Sequence, residues 1–531
     1  MTTERKTTSR KDTTRRNDTA AGREQPSFLA AVNHFAEPWG APPDPWGCLR
    51  RRGILRPVTP RRLAFLLSLL CVAGSTNVVL AQWPQFRGPN GAGVSDGAGY
   101  PVEFSPTKNV AWKVAVPFGQ SSPVVAGPTL YVTAREAGQL LTIAIATDSG
   151  KERWRRSVPR ERTMAISRAN DPASPTPAAD GDGVVSFFAE FGLVAYEPDG
   201  GVRWRHAMGP FVNFYGMSAS PIIADGLVIQ LIDQLSGSYL IALDRATGRV
   251  RWRAERPAAT IGYSTPTIFR PPSGQPEVVT IGSTRLDSYD LATGEPRWWM
   301  PIGSSGSMGV ALTEGDTLWI STQGTDEPDL PVWRSALATY DADTDGRISP
   351  AELLKDKDLG EHFGWVDTNE DRLVTEQEWN IARSLGAGSW GAMAIRPAQA
   401  RGQLPATAVS WRMQKNVPYI PAPLLYRGVF YMVKTGGIVT TLDAATGKLL
   451  KEGRATGALG EYHASPVAAD GKVYLANQDG QVTVLEAGAE WKVLAVNDLS
   501  AEINASPALV GGRVYVRTRD SLYCFAAAPA P

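Results

Sequence analysis

The run Asp341-Ala-Asp343-Thr-Asp345-Gly346-Arg347-Ile348-Ser349-Pro-Ala-Glu352 spaces hard oxygen donors in a way that suits one task. Carboxylates fall at positions one, three and five, and Gly346 supplies a sharp turn at six. Arg347 offers its backbone carbonyl at seven, Ser349 its side-chain oxygen at nine, and Glu352 a bidentate carboxylate at twelve. Oxygen donors in this number favour Ca²⁺ over transition metals. A sister run begins 26 residues on, with Asp367, Asn369, Asp371, the Leu373 carbonyl, Thr375 and Glu378 at the same positions. Its sixth position is Arg372, where a positive φ costs a residue with a Cβ about 1 kcal/mol or more. The second loop is therefore expected to bind more weakly, and to fill after the first. Ile348 and Val374, at position eight of each loop, should pair as a short strand. A helical segment is expected over Pro350 to Leu359.

No other chemistry rises from the side chains. Three cysteines (Cys48, Cys71, Cys524) and four scattered histidines give neither a disulfide framework nor a zinc constellation. No Ser/His/Asp set, paired carboxylates or phosphate loop offers an enzyme class. Gly88 to Gly93 lacks the strand and helix that a dinucleotide turn needs.

The elements that must carry these loops come from a repeat. Eight copies of one pattern run from about Ser121 to the C-terminus. Each opens on a small residue, usually followed by Pro (123, 175, 221, 266, 423, 466, 507), and continues as an apolar β-rich run. Most close on Gly with Trp four residues later, as in Gly150/Trp154, Gly200/Trp204, Gly248/Trp252 and Gly294/Trp298. Spacings of 52, 46, 45, 43 and 41 residues, with one gap of 157 after Pro266, mark a β-propeller of short four-stranded blades. The gap holds a fifth blade starting near Ser307 and an insertion. The last copy lacks its outer strand, and Asn109-Val-Ala-Trp112-Lys-Val-Ala-Val supplies one from the other end. That pairing closes an eight-bladed ring without a free edge. The fold class is all-β, an eight-bladed propeller with a small α-helical insertion.

Ala242-Leu-Asp244-Arg-Ala-Thr247-Gly248 to Trp252 resembles the pyrroloquinoline-quinone (PQQ)-type repeat, as do Ser288 to Trp298 and, up to Lys451, Thr441 to Gly447. Trp83-Pro-Gln-Phe-Arg-Gly-Pro-Asn-Gly-Ala-Gly-Val-Ser95 is similar to the leader of exported bacterial propellers of that group. The resemblance covers about residues 83 to 525 and is to the quinoprotein-type, BamB-like propellers, here with an inserted EF-hand pair. The family's dehydrogenases imply a quinone held at the axis with Ca²⁺, an Asp and often a vicinal Cys pair. This chain has no adjacent cysteines, and PQQ is not the expected cofactor.

The organisation expected is an unstructured extension over 1–60, a secretory signal over 61–81 and a leader over 82–108. The propeller follows over 109–323 and 392–526, with the EF-hand pair at 324–391. Arg61-Arg62, the apolar Leu63 to Val72 and Val79-Leu80-Ala81 form the signal, with cleavage after Ala81 and a periplasmic or extracellular destination. Residues 1–81 carry thirteen basic and six acidic residues, so the whole-chain charge of +1 leaves −6 beyond them. That balance argues against nucleic-acid binding, and the short apolar run against a stable membrane span after cleavage. The function expected is a non-catalytic scaffold, a monomeric propeller that binds a protein or polysaccharide partner. The alternative is a PQQ-dependent periplasmic dehydrogenase of alcohols or sugars. The insertion is expected to have little core of its own, with Ca²⁺ fixing its shape against blade five. Phe211-Val-Asn-Phe-Tyr215 is expected to be blade-to-loop packing, with a binding face as the alternative.

Overall fold

The computed structural model describes residues 82–527, apart from 161, 165, 168, 305–307, 325–329, 355, 362 and 370. The expected N-terminal extension, the signal segment and the fifth copy's start at Ser307 lie outside the described residues. The strands form eight sheets, each built on four antiparallel strands, arranged as the eight blades of a propeller. Blade three shows the pattern. Ile222–Ala224 is innermost, followed outward by Leu227–Ile232, Tyr239–Asp244 and Val250–Glu255. Blade eight is closed by the chain's own start, since Val110–Ala115 pairs antiparallel with Ser521–Ala526. Pairing the termini removes the open edge that an incomplete last blade would leave.

The repeat's residue types are explained by two local devices. The Asp and Thr of the consensus lock the outer hairpin turn: Asp244 Oδ1 accepts from the Thr247 amide at 2.9 Å and from its hydroxyl at 2.8 Å. Asp290/Thr293 and Asp443/Thr446 repeat the arrangement. The Gly and Trp of the consensus meet between neighbouring blades. Trp204 of blade two lies over Gly248 of blade three, where an added Cβ would fall 2.6 Å from the indole, and Trp204 Nε1 donates to the Arg245 carbonyl at 3.0 Å. Trp112 over Gly150, Trp154 over Gly200, Trp252 over Gly294 and Trp411 over Gly447 do the same. Where the consensus Trp is Lys451, its ammonium sits over the Trp491 ring of blade seven and donates to the Trp491 carbonyl at 2.7 Å.

The register corrects one sequence mark. The residue that opens blade two is Pro177, directly before Ala178–Asp180, and not Pro175. The Thr-Pro pair at 176–177 thus matches Ser122-Pro123, Ser220-Pro221, Thr265-Pro266, Ala422-Pro423, Ser465-Pro466 and Ser506-Pro507. Proline fits the first residue of an innermost strand because no ladder partner needs its missing N–H.

The leader crosses the middle of the ring. Trp83 exchanges both backbone hydrogen bonds with Val125 of blade one, and Pro84 accepts from Ala179 of blade two. Asn90 caps the Ile268 backbone of blade four in both directions, at 2.8 and 2.9 Å, and reaches Thr313 of blade five. The buried Arg87 guanidinium donates to the Pro423 and Pro466 carbonyls of blades six and seven. Burial without a carboxylate pulls its pKa down to about 9. Val94–Ser95 then adds a parallel strand to blade seven. One short segment thereby ties the innermost strands of six blades and plugs the axis. Its Gly-rich composition allows the close approach, since Gly88, Gly91 and Gly93 all take positive φ.

Candidate functional site

The insertion leaves blade five after Thr317–Thr322 and returns as Gly391–Ile395. Its helices are α1 (Trp333–Tyr340), α2 (Pro350–Leu353), α3 (Lys357–Glu361), α4 (Phe363–Val366) and α5 (Glu376–Ala387). The single helix expected over Pro350 to Leu359 is broken after Leu353. The lobe also has a core, contrary to the sequence expectation. Leu330, Ala336, Ile348, Leu353, Leu359, Val366, Val374 and Trp379 bury together, and Trp379 Nε1 donates to the Pro331 carbonyl at 2.8 Å. Trp333 and Tyr340 pack on Trp379 and supply apolar area that a count of aliphatic residues misses.

Both acidic runs fold into the same loop. Carboxylate oxygens of Asp341, Asp343 and Asp345 lie within 4.8 Å of one another. Asp341 accepts from the Asp345 and Gly346 amides, Asp343 from Asp345, and Asp345 from Arg347. Asp367, Asn369 and Asp371 repeat this set with the Asp371, Arg372 and Leu373 amides. The position-twelve carboxylates fold back across their loops. Glu352 takes the Ala342 amide at 2.7 Å and the Ser349 amide at 2.8 Å, while Glu378 takes Thr368 at 3.1 Å and Thr375 at 2.9 Å. Ser349 and Thr375 donate their hydroxyls to these carboxylates and open α2 and α5 through capping boxes. The hydrogen bonds to Ser349 hold Glu352 below its ordinary pKa.

Ile348 and Val374 join the loops by an antiparallel bridge, with N–H···O distances of 3.1 and 2.8 Å. Arg372 takes φ 67° where Gly346 takes φ 81°, so the second loop keeps the turn despite its side chain. The second loop is the more enclosed, with Asp367 and Glu378 buried, and burial pushes the Asp367 carboxyl up. All twelve sequence-selected positions are thus gathered into two loops of one lobe. The far end of α5 rests on blade four, where the Gly303 amide donates to Ser389 at 3.1 Å, and not on blade five alone. Gln377 also reaches the Pro257 carbonyl at 3.3 Å.

A second feature was not foreseen. The small residues that open the blades form a hydrogen-bonded belt around the axis. The amides of Ser122, Thr176 and Ser220 donate to the hydroxyls of Thr176, Ser220 and Thr265. Those of Ala422, Ser465 and Ser506 donate to Ser465, Ser506 and Ser122. The belt breaks where blades five and six offer Val310 and Ala422. It rims an axial cavity of about 180 Å³ that includes Phe86 of the leader, Tyr215, Tyr263, Asn170, Asn504 and His463 in its lining. The sequence signal was the recurring small-residue–Pro pair, whose chemistry shows only when the blades close into a ring. Phe211-Val-Asn-Phe-Tyr215 divides: Phe211 packs on Phe187, whereas Tyr215 faces the cavity.

The cavity does not fit a quinone bearing several carboxylates. Among the described residues its lining holds no Arg, Lys, Asp or Glu, so these offer neither a counter-charge to the carboxylates nor an acidic ligand to a companion Ca²⁺. Arg256, Asp233 and Asp287 pair with one another elsewhere, between blades three and four.

Comparison with known proteins agrees with the fold. The family model of the outer membrane protein assembly factor BamB matches residues 102–348. BamB from Moraxella catarrhalis is 13% identical, with 79% of this chain and 99% of that one covered and a TM-score of 0.48. A europium-containing methanol dehydrogenase is 12% identical, with 84% and 98% covered and a TM-score of 0.51. No curated protein matches. The class defined is an eight-bladed β-propeller built from PQQ-like repeats. Among the described residues no helix is long and apolar enough to cross a membrane.

Proposed function

We propose that the protein is an exported, calcium-binding propeller that serves as a non-catalytic scaffold for a protein or polysaccharide partner. The signal segment at 61–81 supports export to the periplasm or beyond. The observation that carries calcium binding is the pair of matching loops joined through Ile348 and Val374, the first gathering the carboxylates of Asp341, Asp343 and Asp345 within 4.8 Å of one another. Extracellular sites of this kind bind with Kd of about 10⁻⁴ to 10⁻³ M, so the ion orders the lobe rather than signals. A calcium-shaped lobe projecting from blades four and five is a docking surface. The match to the assembly-factor model supports a scaffold role, and an axial cavity without Arg, Lys, Asp or Glu among its described lining residues weighs against a quinone dehydrogenase.

Calorimetric titration of Ca²⁺ into chelator-stripped protein tests this. Saturable heat is expected, and Asp341→Ala should abolish the first site while the propeller stays folded. No heat from the wild-type protein sinks the calcium assignment. Arg372→Gly should tighten the second loop about fivefold, by relieving ~1 kcal/mol of left-handed backbone strain. An unchanged or weaker second site would show that Arg372 is not what limits it.

A further inference from the structure

We infer that the axial cavity is a binding site for one ring of a neutral, polyhydroxylated ligand, a non-ionic sugar unit. The inference rests on the scaffold reading above and names the chemistry of one partner.

The belt supplies the first reason. Ser122, Thr176, Ser220, Thr265, Ser465 and Ser506 are each at least 95% buried, and all six line the cavity. Each oxygen accepts one amide from the neighbouring blade and keeps a second lone pair. Among the described residues none of their protons has an acceptor. Buried hydroxyls left with a free proton and a free lone pair are satisfied by water or by a ligand that both donates and accepts. A sugar hydroxyl does both, whereas an anion offers acceptors alone.

The lining is also two-sided. The hydroxyl arc runs over six blades, and where it breaks, at Val310 and Ala422, the lining is apolar, with Met308 and Ile420. Phe86 adds an aromatic ring, and Tyr215 and Tyr263 stand edge to face at 6.0 Å. A sugar ring has the same division, with equatorial hydroxyls at its rim and C–H groups on its faces. His463, held by Gln478 at 2.9 Å, has its pKa lowered by burial and is neutral at neutral pH. The cavity of about 180 Å³ has room for one ring. An oligosaccharide would enter by its end.

The test uses the intact mature protein and calorimetry with cellotetraose, chitotetraose and laminaritetraose. Tetragalacturonate and pyrroloquinoline quinone serve as anionic controls. At least one neutral oligomer should bind saturably, and Tyr215→Ala should weaken it about tenfold while Tyr215→Phe retains it. Tyr215 is half-buried at the cavity mouth, so its loss leaves the blades packed. A thermal melt equal to wild type confirms that. Failure of all three neutral oligomers, tighter binding of either anion, or an unchanged affinity in Tyr215→Ala would overturn the inference. A parallel Ca²⁺ titration separates the readings: sugar binding without calcium binding removes the calcium lobe alone, and the reverse removes the sugar site alone.

Discussion

Arg256→Leu should lower the folding free energy by about 3–5 kcal/mol, the usual cost of leaving a buried charge without its partner. Arg256 is 1% exposed at its side chain and Asp233 fully buried. The guanidinium spans Asp233 at 2.7 and 3.0 Å, Asp287 at 3.1 Å, Thr280 at 2.7 Å and Tyr289 at 2.8 Å. Burial pushes the Asp233 carboxyl up, against the pull of Arg256. Burial also opposes the charge on Arg256, but Asp233, Tyr289 and Asp287 outweigh it and hold its pKa well above the ordinary value. Leucine leaves the buried Asp233 without a counter-charge, whereas Asp287 keeps Arg285 at 2.8 Å. The Asp233 pKa then rises further above the unfolded one, so the folded state holds a proton that the unfolded chain releases. The variant's stability should therefore fall as pH rises through that window, and its urea midpoint should be higher at about pH 5 than at about pH 8. A loss under about 1 kcal/mol, or no added pH dependence, would show that the network is solvated in solution.

The second large effect belongs to the seams between blades. Trp204→Ala should cost about 3–5 kcal/mol, because it removes a buried indole and leaves a void in a rigid β interface. Gly248→Val should destabilise through the partner side of the same contact. Its Cβ would meet the indole at 2.6 Å, and φ 69° disfavours a branched residue. The two changes share one contact, so the double variant should cost less than their sum. Denaturant titration of the four proteins measures this. Strict additivity would mean that Trp204 and Gly248 act independently.

The repeat made the architecture legible because each blade must solve the same packing problem. Asp244, Thr247 and Gly248 form a turn from neighbouring residues, and Trp204 needs only the next copy to complete its seat. The missing outer strand of the last copy and the spare strand at Val110–Ala115 already implied closure. The two acidic loops were legible for a similar reason: all twelve positions lie within two short runs, so spacing alone defines their geometry. Ile348 and Val374 could be paired in advance because position eight points each loop at its sister.

Other features depend on residues far apart in the chain, and only the tertiary structure decided them. Seating the lobe's end on blade four joins Ser389 to Gly303, two residues that no local pattern relates. The core around Trp379 draws on Leu330 and Trp333, outside the loop motifs. The leader's role as an axial plug needs Arg87 and Asn90 to meet strands 379 and 178 residues away. The Ser and Thr that open the blades look in sequence like ordinary turn residues. They become a belt of buried hydroxyls because the ring places each one against the backbone of the next. Local hydrogen bonds and periodic burial determined the blades and loops, while ring closure determined the axial cavity and the chemistry it presents.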